Sequence, residues 1–84
     1  MNDWERLADQ LRRTTDMRIE TYLGIIGEVG WRKVRTSGSH VMVEDSEGQT
    51  HSIPTKNGRT VKATYLKLTA RRITEINRDD DETL

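Results

Sequence analysis

The feature that most limits how this chain can fold is a change of hydrophobic period at Gly30-Trp31. Before it, apolar residues recur every three or four positions; after it they alternate, and near residue 61 the helical spacing returns. In a chain of 84 residues this means one small domain in which helices flank a sheet. Trp4, Leu7, Ala8 and Leu11 fall at i, i+3, i+4 and i+7, with Asn2 and Glu5 placed as a capping box, and predict a helix over 3–13. Thr14-Thr15-Asp16 interrupts the pattern and offers an N-cap for a second helix. There Ile19, Tyr22, Leu23 and Ile26 keep the spacing and Gly30 supplies the stop. Gly24 and Gly27 each cost this helix about 1 kcal/mol against alanine, which suggests close packing against another element.

Three strands are expected after Trp31, over 32–36, 40–45 and 49–53. Lys33-Val34-Arg35 alternates and Thr36-Ser37-Gly38-Ser39 breaks the run. Val41 and Val43 then point one way while His40, Met42 and Glu44 point the other. Asp45-Ser46-Glu47-Gly48 has the composition of a hairpin turn, and Pro54, which has no N–H for the ladder, ends the third strand. Residues 55–60, with Lys56, Asn57, Gly58 and Arg59, form a basic loop. A final helix is expected over 61–77, with Leu66, Ala70, Ile73 and Ile76 as its stripe, widened by Tyr65 and Leu68. The fold class is therefore α+β: two layers, with a three-stranded antiparallel sheet packed on helices.

Composition limits what holds such a fold together. The chain has no cysteine, so it has neither a disulfide nor a thiolate metal site. Leu, Ile, Val and Phe make only 17 of 84 residues, so a second copy or another protein bound through residues 3–13 is expected to add stability. No apolar run approaches the ~18 residues of a membrane span, and Met1-Asn2-Asp3-Trp4-Glu5 has the marks of no secretory signal, so a cytoplasmic protein with no membrane partner is expected.

Net charge is zero, but it is unevenly spread. Residues 1–30 carry four basic and six acidic side chains, 31–72 nine and three, and 73–84 one and five. A basic middle flanked by acidic ends suits a polyanion partner, because each cation that meets a phosphate releases condensed counterions.

His40 and His51 are the two side chains that titrate near neutral pH, and so the first candidates for acid–base work. No third ligand has zinc-site spacing, and no Gly-x-x-x-x-Gly-Lys-Ser/Thr run exists to cradle a nucleotide phosphate. The hairpin decides where the histidines stand. A two-residue loop puts His51 on the face of His40, roughly 7–13 Å away at about 3.3 Å per residue, and a three-residue loop puts it on the other face. His40 follows Gly38-Ser39 and is expected on the solvent side of its strand.

Gly30-Trp31, Arg35, Gly38-Ser39-His40, Gly48, Ile53-Pro54 and the basic loop leading into a helix with Thr64 together resemble the HicA family of type II toxin–antitoxin toxins. The match spans residues 17–76. The resemblance implies a double-stranded-RNA-binding-domain-like helix–three strands–helix unit over 16–78; the helical extension over 1–15 and the acidic, disordered tail expected over 79–84 depart from the family's pattern. It also implies a ribonuclease acting on messenger RNA, with His40 as its essential histidine and a HicB-like antitoxin as partner. RNA carries its own nucleophile, the 2′-hydroxyl, so such an enzyme needs no metal or cofactor, only a proton-transfer group and cations to hold phosphate. Ser39 would orient His40 or the phosphate, Lys33, Arg35, Lys56, Arg59 and Lys62 would meet the RNA backbone, and His51 would be a structural or surface residue. Gly30, Trp31, Gly38, Gly48 and Pro54 carry the motif. Two other readings use the same fold: a nucleic-acid-binding module without catalysis, and a protein-interaction adaptor working through residues 3–13.

Overall fold

The computed structural model describes the backbone of residues 2–82 and the side chains through residue 78. The chain runs α1 (Asp3–Arg13), β1 (Asp16–Arg18), α2 (Ile19–Glu28), β2 (Arg32–Ser37), β3 (His40–Glu44), β4 (Thr50–Pro54), β5 (Thr60–Lys62) and α3 (Ala63–Glu82). It is a small α+β domain with an antiparallel sheet ordered β2-β3-β4 and, beside it, a two-stranded antiparallel ribbon of β1 and β5. That ribbon was not expected. Asp16, read as a helix cap, instead pairs with Lys62, and Met17 pairs with Val61, both buried. Helix α2 consequently starts at Ile19, with Arg18 as an N-cap that makes no side-chain capping bond. Three-residue strands carry too little alternation to stand out from a helix start or a loop.

The start of α1 and the stop of α2 are as their sequences predict. Asn2 Oδ1 accepts from the Glu5 amide at 3.0 Å and caps α1. Helix α2 closes with Gly30 at φ +86°, a left-handed conformation that disfavours any other residue. There the Gly30 amide donates to the Gly27 carbonyl and the Trp31 amide to the Ile26 carbonyl, the two bonds of a Schellman stop. The chain therefore turns sharply, and Trp31 enters the core 4% exposed. Helix α3 continues past the expected end at 77 through the acidic run to Glu82. The last residues of the expected tail, 83 and 84, lie outside the described residues.

One core serves the whole chain. Val41, Val43 and Ile53 supply it from one face of the sheet; Tyr22, Ile25 and Ile26 from α2; Leu66, Ala70, Ile73 and Ile76 from α3; and Leu7, Ala8 and Leu11 from α1. Helix α1 lies on α3, where the Arg12 guanidinium donates to Thr74 Oγ1 at 2.6 Å. Of the face of residues 3–13, expected to receive a second copy or an adaptor's partner, Leu7, Ala8 and Leu11 are covered within the chain, and Trp4 is half-buried. Tyr22 crosses the core to share a 2.9 Å hydrogen bond with Thr69; burial pushes its phenol up to about 12, partly offset by that bond. Among the described residues, Trp31 Nε1 is the buried side-chain polar atom without a partner.

Three local expectations are corrected. Leu68, assigned to the apolar stripe of α3, is 53% exposed. Strand β2 does not alternate: all six residues are exposed, and a register shift between Lys33 and Arg35 leaves Val34 as an unpaired bulge. Gly24 and Gly27 permit no close approach, since a Cβ at either would meet nothing within 4 Å.

Two stability outcomes follow. Replacing Gly24 or Gly27 by alanine should stabilise the protein by up to about 1 kcal/mol each, since helix propensity improves at no steric cost. A lower thermal midpoint in either variant would contradict the open surroundings of these positions. Leu11→Ala should cost about 2–5 kcal/mol in urea unfolding, because the side chain is fully buried between α1 and the rest of the core. A cost below 1 kcal/mol would mean that α1 is not seated on α3.

Candidate functional site

The loop between β3 and β4 settles the placement of the two histidines. The Asp45 amide donates to the Gln49 carbonyl at 2.8 Å and the Gly48 amide to the Asp45 carbonyl at 3.0 Å, with Gly48 at φ +87°. This is a three-residue hairpin closing on a left-handed glycine. Of the two loops compatible with the sequence, it is the one that sends the histidines to opposite faces. His51 pairs with Val43 on the core side, while His40 pairs with Ser37 and Pro54 on the open side.

His51 is built into the structure. Its ring lies parallel to Trp31 at a centroid distance of 5.2 Å, and its Nε2 is 2.8 Å from Asp45 Oδ2. The same oxygen accepts from Arg72 Nε of α3 at 3.0 Å, while Asp45 Oδ1 accepts from the Glu47 and Gln49 amides at 2.9 and 3.0 Å. Burial pushes the Asp45 carboxyl up, but the bonds from His51, Arg72 and the two amides outweigh it and hold the group at about 2. The hydrogen bond to Asp45 in turn raises the Arg72 pKa. Arg72 also reaches Glu47 and Glu75, so its charge is met by carboxylates on three sides. A cleft of about 180 Å³ opens here between β4 and α3, with Leu68 and Tyr65 at its wall.

His40 stands at the opposite end of β3. It is exposed, follows the two-residue turn Gly38-Ser39, and shares its face with Arg35, which lies across from Met42. Ser39 is exposed, and its carbonyl accepts two bonds from Thr55: from the amide at 2.7 Å and from the hydroxyl at 2.6 Å. Those bonds fasten the start of the basic loop beside the turn that carries His40. The far side of the loop is fastened too, since the Ile19 amide at the head of α2 donates to the Arg59 carbonyl at 2.8 Å. Within it, Lys56 and Arg59 are joined by a 3.0 Å backbone bond.

The five cations singled out in the sequence are divided between surfaces. Arg35 is on the His40 face; Lys33 is on the other face of β2, at the rim of a groove against α2; Lys56 and Arg59 are in the loop; Lys62 is on β5 opposite Asp16. All are exposed, and among the described residues none has an ion-pair partner. Arg6, Arg13, Arg18, Arg32, Arg71 and Arg72, by contrast, each sit against a carboxylate.

Sequence reasoning missed Thr55, which anchors the loop, and the pairing of Asp45 with His51 and Arg72. The first has no composition signal. The second was partly legible as an aspartate opening a turn shortly before a histidine, but only the loop length reveals that they meet. Among the described residues no three His, Asp or Glu side chains are grouped to hold a metal ion, and no helix is long and apolar enough to cross a membrane. No family model, no curated protein and no solved structure matches this chain.

The Asp45 cluster has a measurable signature. Its carboxyl is held near 2 against an ordinary 3.8, so its contribution is present in full above about pH 4 and is lost as pH falls towards 2. The depression corresponds to about 2 kcal/mol. Asp45→Asn should lower the unfolding free energy by about that amount at pH 7 and converge with the unmodified protein near pH 2; a constant deficit at every pH would remove the charge from the explanation.

Proposed function

We propose that this chain is an RNA-cleaving toxin of the HicA kind, in which His40 transfers the proton. The observation that carries this reading is a set of exposed, unpaired cations, of which Arg35 shares the face of the exposed His40. Lys33, Arg35, Lys56, Arg59 and Lys62 have no ion-pair partner among the described residues, and Thr55 ties the loop bearing two of them to the Gly38-Ser39 turn. Cations left unpaired by a chain that pairs six arginines elsewhere are available to phosphates, each contact releasing counterions.

His51 is the weaker candidate for the chemistry although it has the better-oriented ring. Its carboxylate partner already accepts four hydrogen bonds, and the arginine beside it is neutralised by Asp45, Glu47 and Glu75. A phosphate there would meet more negative than positive charge. On the His40 face Arg35 has no ion-pair partner among the described residues.

In this reading the imidazole takes the proton of a ribose 2′-hydroxyl, the 2′-oxygen attacks the adjacent phosphorus, and the bond to the 5′-oxygen breaks. The products are a 2′,3′-cyclic phosphate and a 5′-hydroxyl that takes its proton from water; the imidazolium returns its proton to solvent. Ser39 positions the ring or the phosphate, and the cations stabilise the charge that gathers on phosphorus. The core of the fold, α2–β2–β3–β4–α3, then corresponds to a double-stranded-RNA-binding-domain-like unit. The work is done on messenger RNA in the cytoplasm, and an antitoxin of the HicB kind covers the His40 face until it is removed.

The purified protein should cleave RNA in the presence of EDTA. His40→Ala should cut the rate by about 10²–10⁴-fold while leaving the thermal midpoint unchanged, because the side chain is exposed. Oligonucleotide binding should survive that substitution and weaken with salt, the log–log slope falling by about 0.7 for each of Lys56 and Arg59 removed. Cleavage undiminished in His40→Ala would reject the mechanism. Salt-dependent binding with no cleavage by the unmodified chain would leave the binding module in its place.

A further inference from the structure

A hollow lies on the other side of the Gly38-Ser39 turn from the His40 ring. It is a groove of about 250 Å³ between the head of α2 and the sheet. Its wall is aliphatic, formed by the half-buried Ile19 and Leu23 and the buried Val41; Lys33, Thr36, Thr55 and Glu20 are its polar edge, and the Glu20 carboxylate is met by Arg18 at 3.8 Å. The turns at Gly38 and Gly58 close its ends, and two backbone bonds hold those turns in place, Thr55 to Ser39 and Ile19 to Arg59. The groove is therefore preformed and does not require the loop to close on a ligand.

We propose that this groove takes one unpaired nucleobase of the RNA strand whose phosphate lies at His40. The proposal rests on the ribonuclease reading and adds to it the physical state of the substrate. The volume is below the roughly 300–1,000 Å³ of drug-sized sites, which suits a single planar ring system rather than a peptide segment. An apolar wall with hydroxyls and an ammonium at one edge gives a base a surface to lie on and partners for its edge groups. The charge at the mouth fits the rest of the nucleotide: Lys33 on the rim, with Lys56 and Arg59 on the loop that carries Gly58, are unpaired among the described residues. A strand passing round the β2–β3 turn thus meets cations before and after the groove, with the scissile phosphate on the His40 side. A base held in a duplex cannot enter, because it is stacked between its neighbours and paired along its edge. The enzyme should accordingly act on single-stranded RNA and spare the same sequence in a duplex.

The test uses the full chain carrying His40→Ala, so that bound RNA stays intact, and follows backbone amide resonances. A short single-stranded oligoribonucleotide should shift the amides of Leu23, Thr36, Val41 and Gly58. A ribose–phosphate oligomer of equal length without bases should move Lys56 and Arg59 but leave Leu23 and Val41 in place. Thr36→Trp, at an exposed strand position, fills the groove and should weaken oligonucleotide binding about tenfold, in line with the worth of one stacked base, while leaving the baseless oligomer's affinity unchanged. Equal shifts at Leu23 and Val41 with and without bases, or undiminished binding in Thr36→Trp, would overturn the base site. Failure of the two readings can be told apart: cleavage by the unmodified chain without base-dependent shifts removes the groove and keeps the nuclease, whereas base-dependent shifts without cleavage keep the groove and remove the nuclease.

Discussion

The carboxylate of Asp45 is the point on which the arrangement of this small sheet depends. One oxygen accepts the two amides that shape the three-residue loop; the other accepts His51 from β4 and Arg72 from α3. Loop length sets strand register, and a shift of one residue would exchange the faces of every side chain on β4. With this loop His51 and Ile53 face inward and Thr50, Ser52 and Pro54 face outward. A two-residue loop would put His51 outside and its neighbours Thr50 and Ser52 against the core. The same charge cluster therefore joins the hairpin to the helix, fills the space beneath Trp31 with an imidazole, and leaves His40 as the histidine on the open face.

How much of this could be read from the chain varies with the kind of signal. The helix of 3–13, the stop at Gly30, the outward aim of His40 and the order of the three main strands were legible because each rests on local spacing or on a residue with one strong conformational preference. The β1–β5 ribbon was not, because Asp16-Met17-Arg18 and Thr60-Val61-Lys62 each place a single apolar residue in the core and gain their meaning only by pairing. Val34 was misjudged for a related reason: alternation predicts a face only while the register is unbroken, and a bulge breaks it. Gly24 and Gly27 suggested contact where there is open space, since helix propensity records a cost but not its cause.

The candidate site was legible in its parts but not in its assembly. The five cations could be counted, and their exposure is what their type predicts. That Thr55 and Ile19 fasten the ends of the basic loop depends on backbone groups, which composition does not report. In the proposed reading these bonds bear on binding as well as on the fold. A loop already held in place gives up less conformational freedom when a ligand arrives, so more of the contact energy remains as affinity.

The two ends of β3 use charge in opposite ways, and the contrast bears on how so thin a core tolerates the arrangement. At the Glu44-Asp45 end, Arg32 meets Glu44 in solvent, while Arg72 and His51 meet the buried Asp45, where an electrostatic interaction is less weakened by water. At the His40 end the cations stand in solvent, where repulsion between them is screened beyond about 8–10 Å and costs the fold little. Stability is thus concentrated where water is excluded, and unsatisfied charge is left where water makes it cheap. A polyanion that displaces this water would find these cations without an ion-pair partner among the described residues, and so without such a bond to break before the first phosphate is bound.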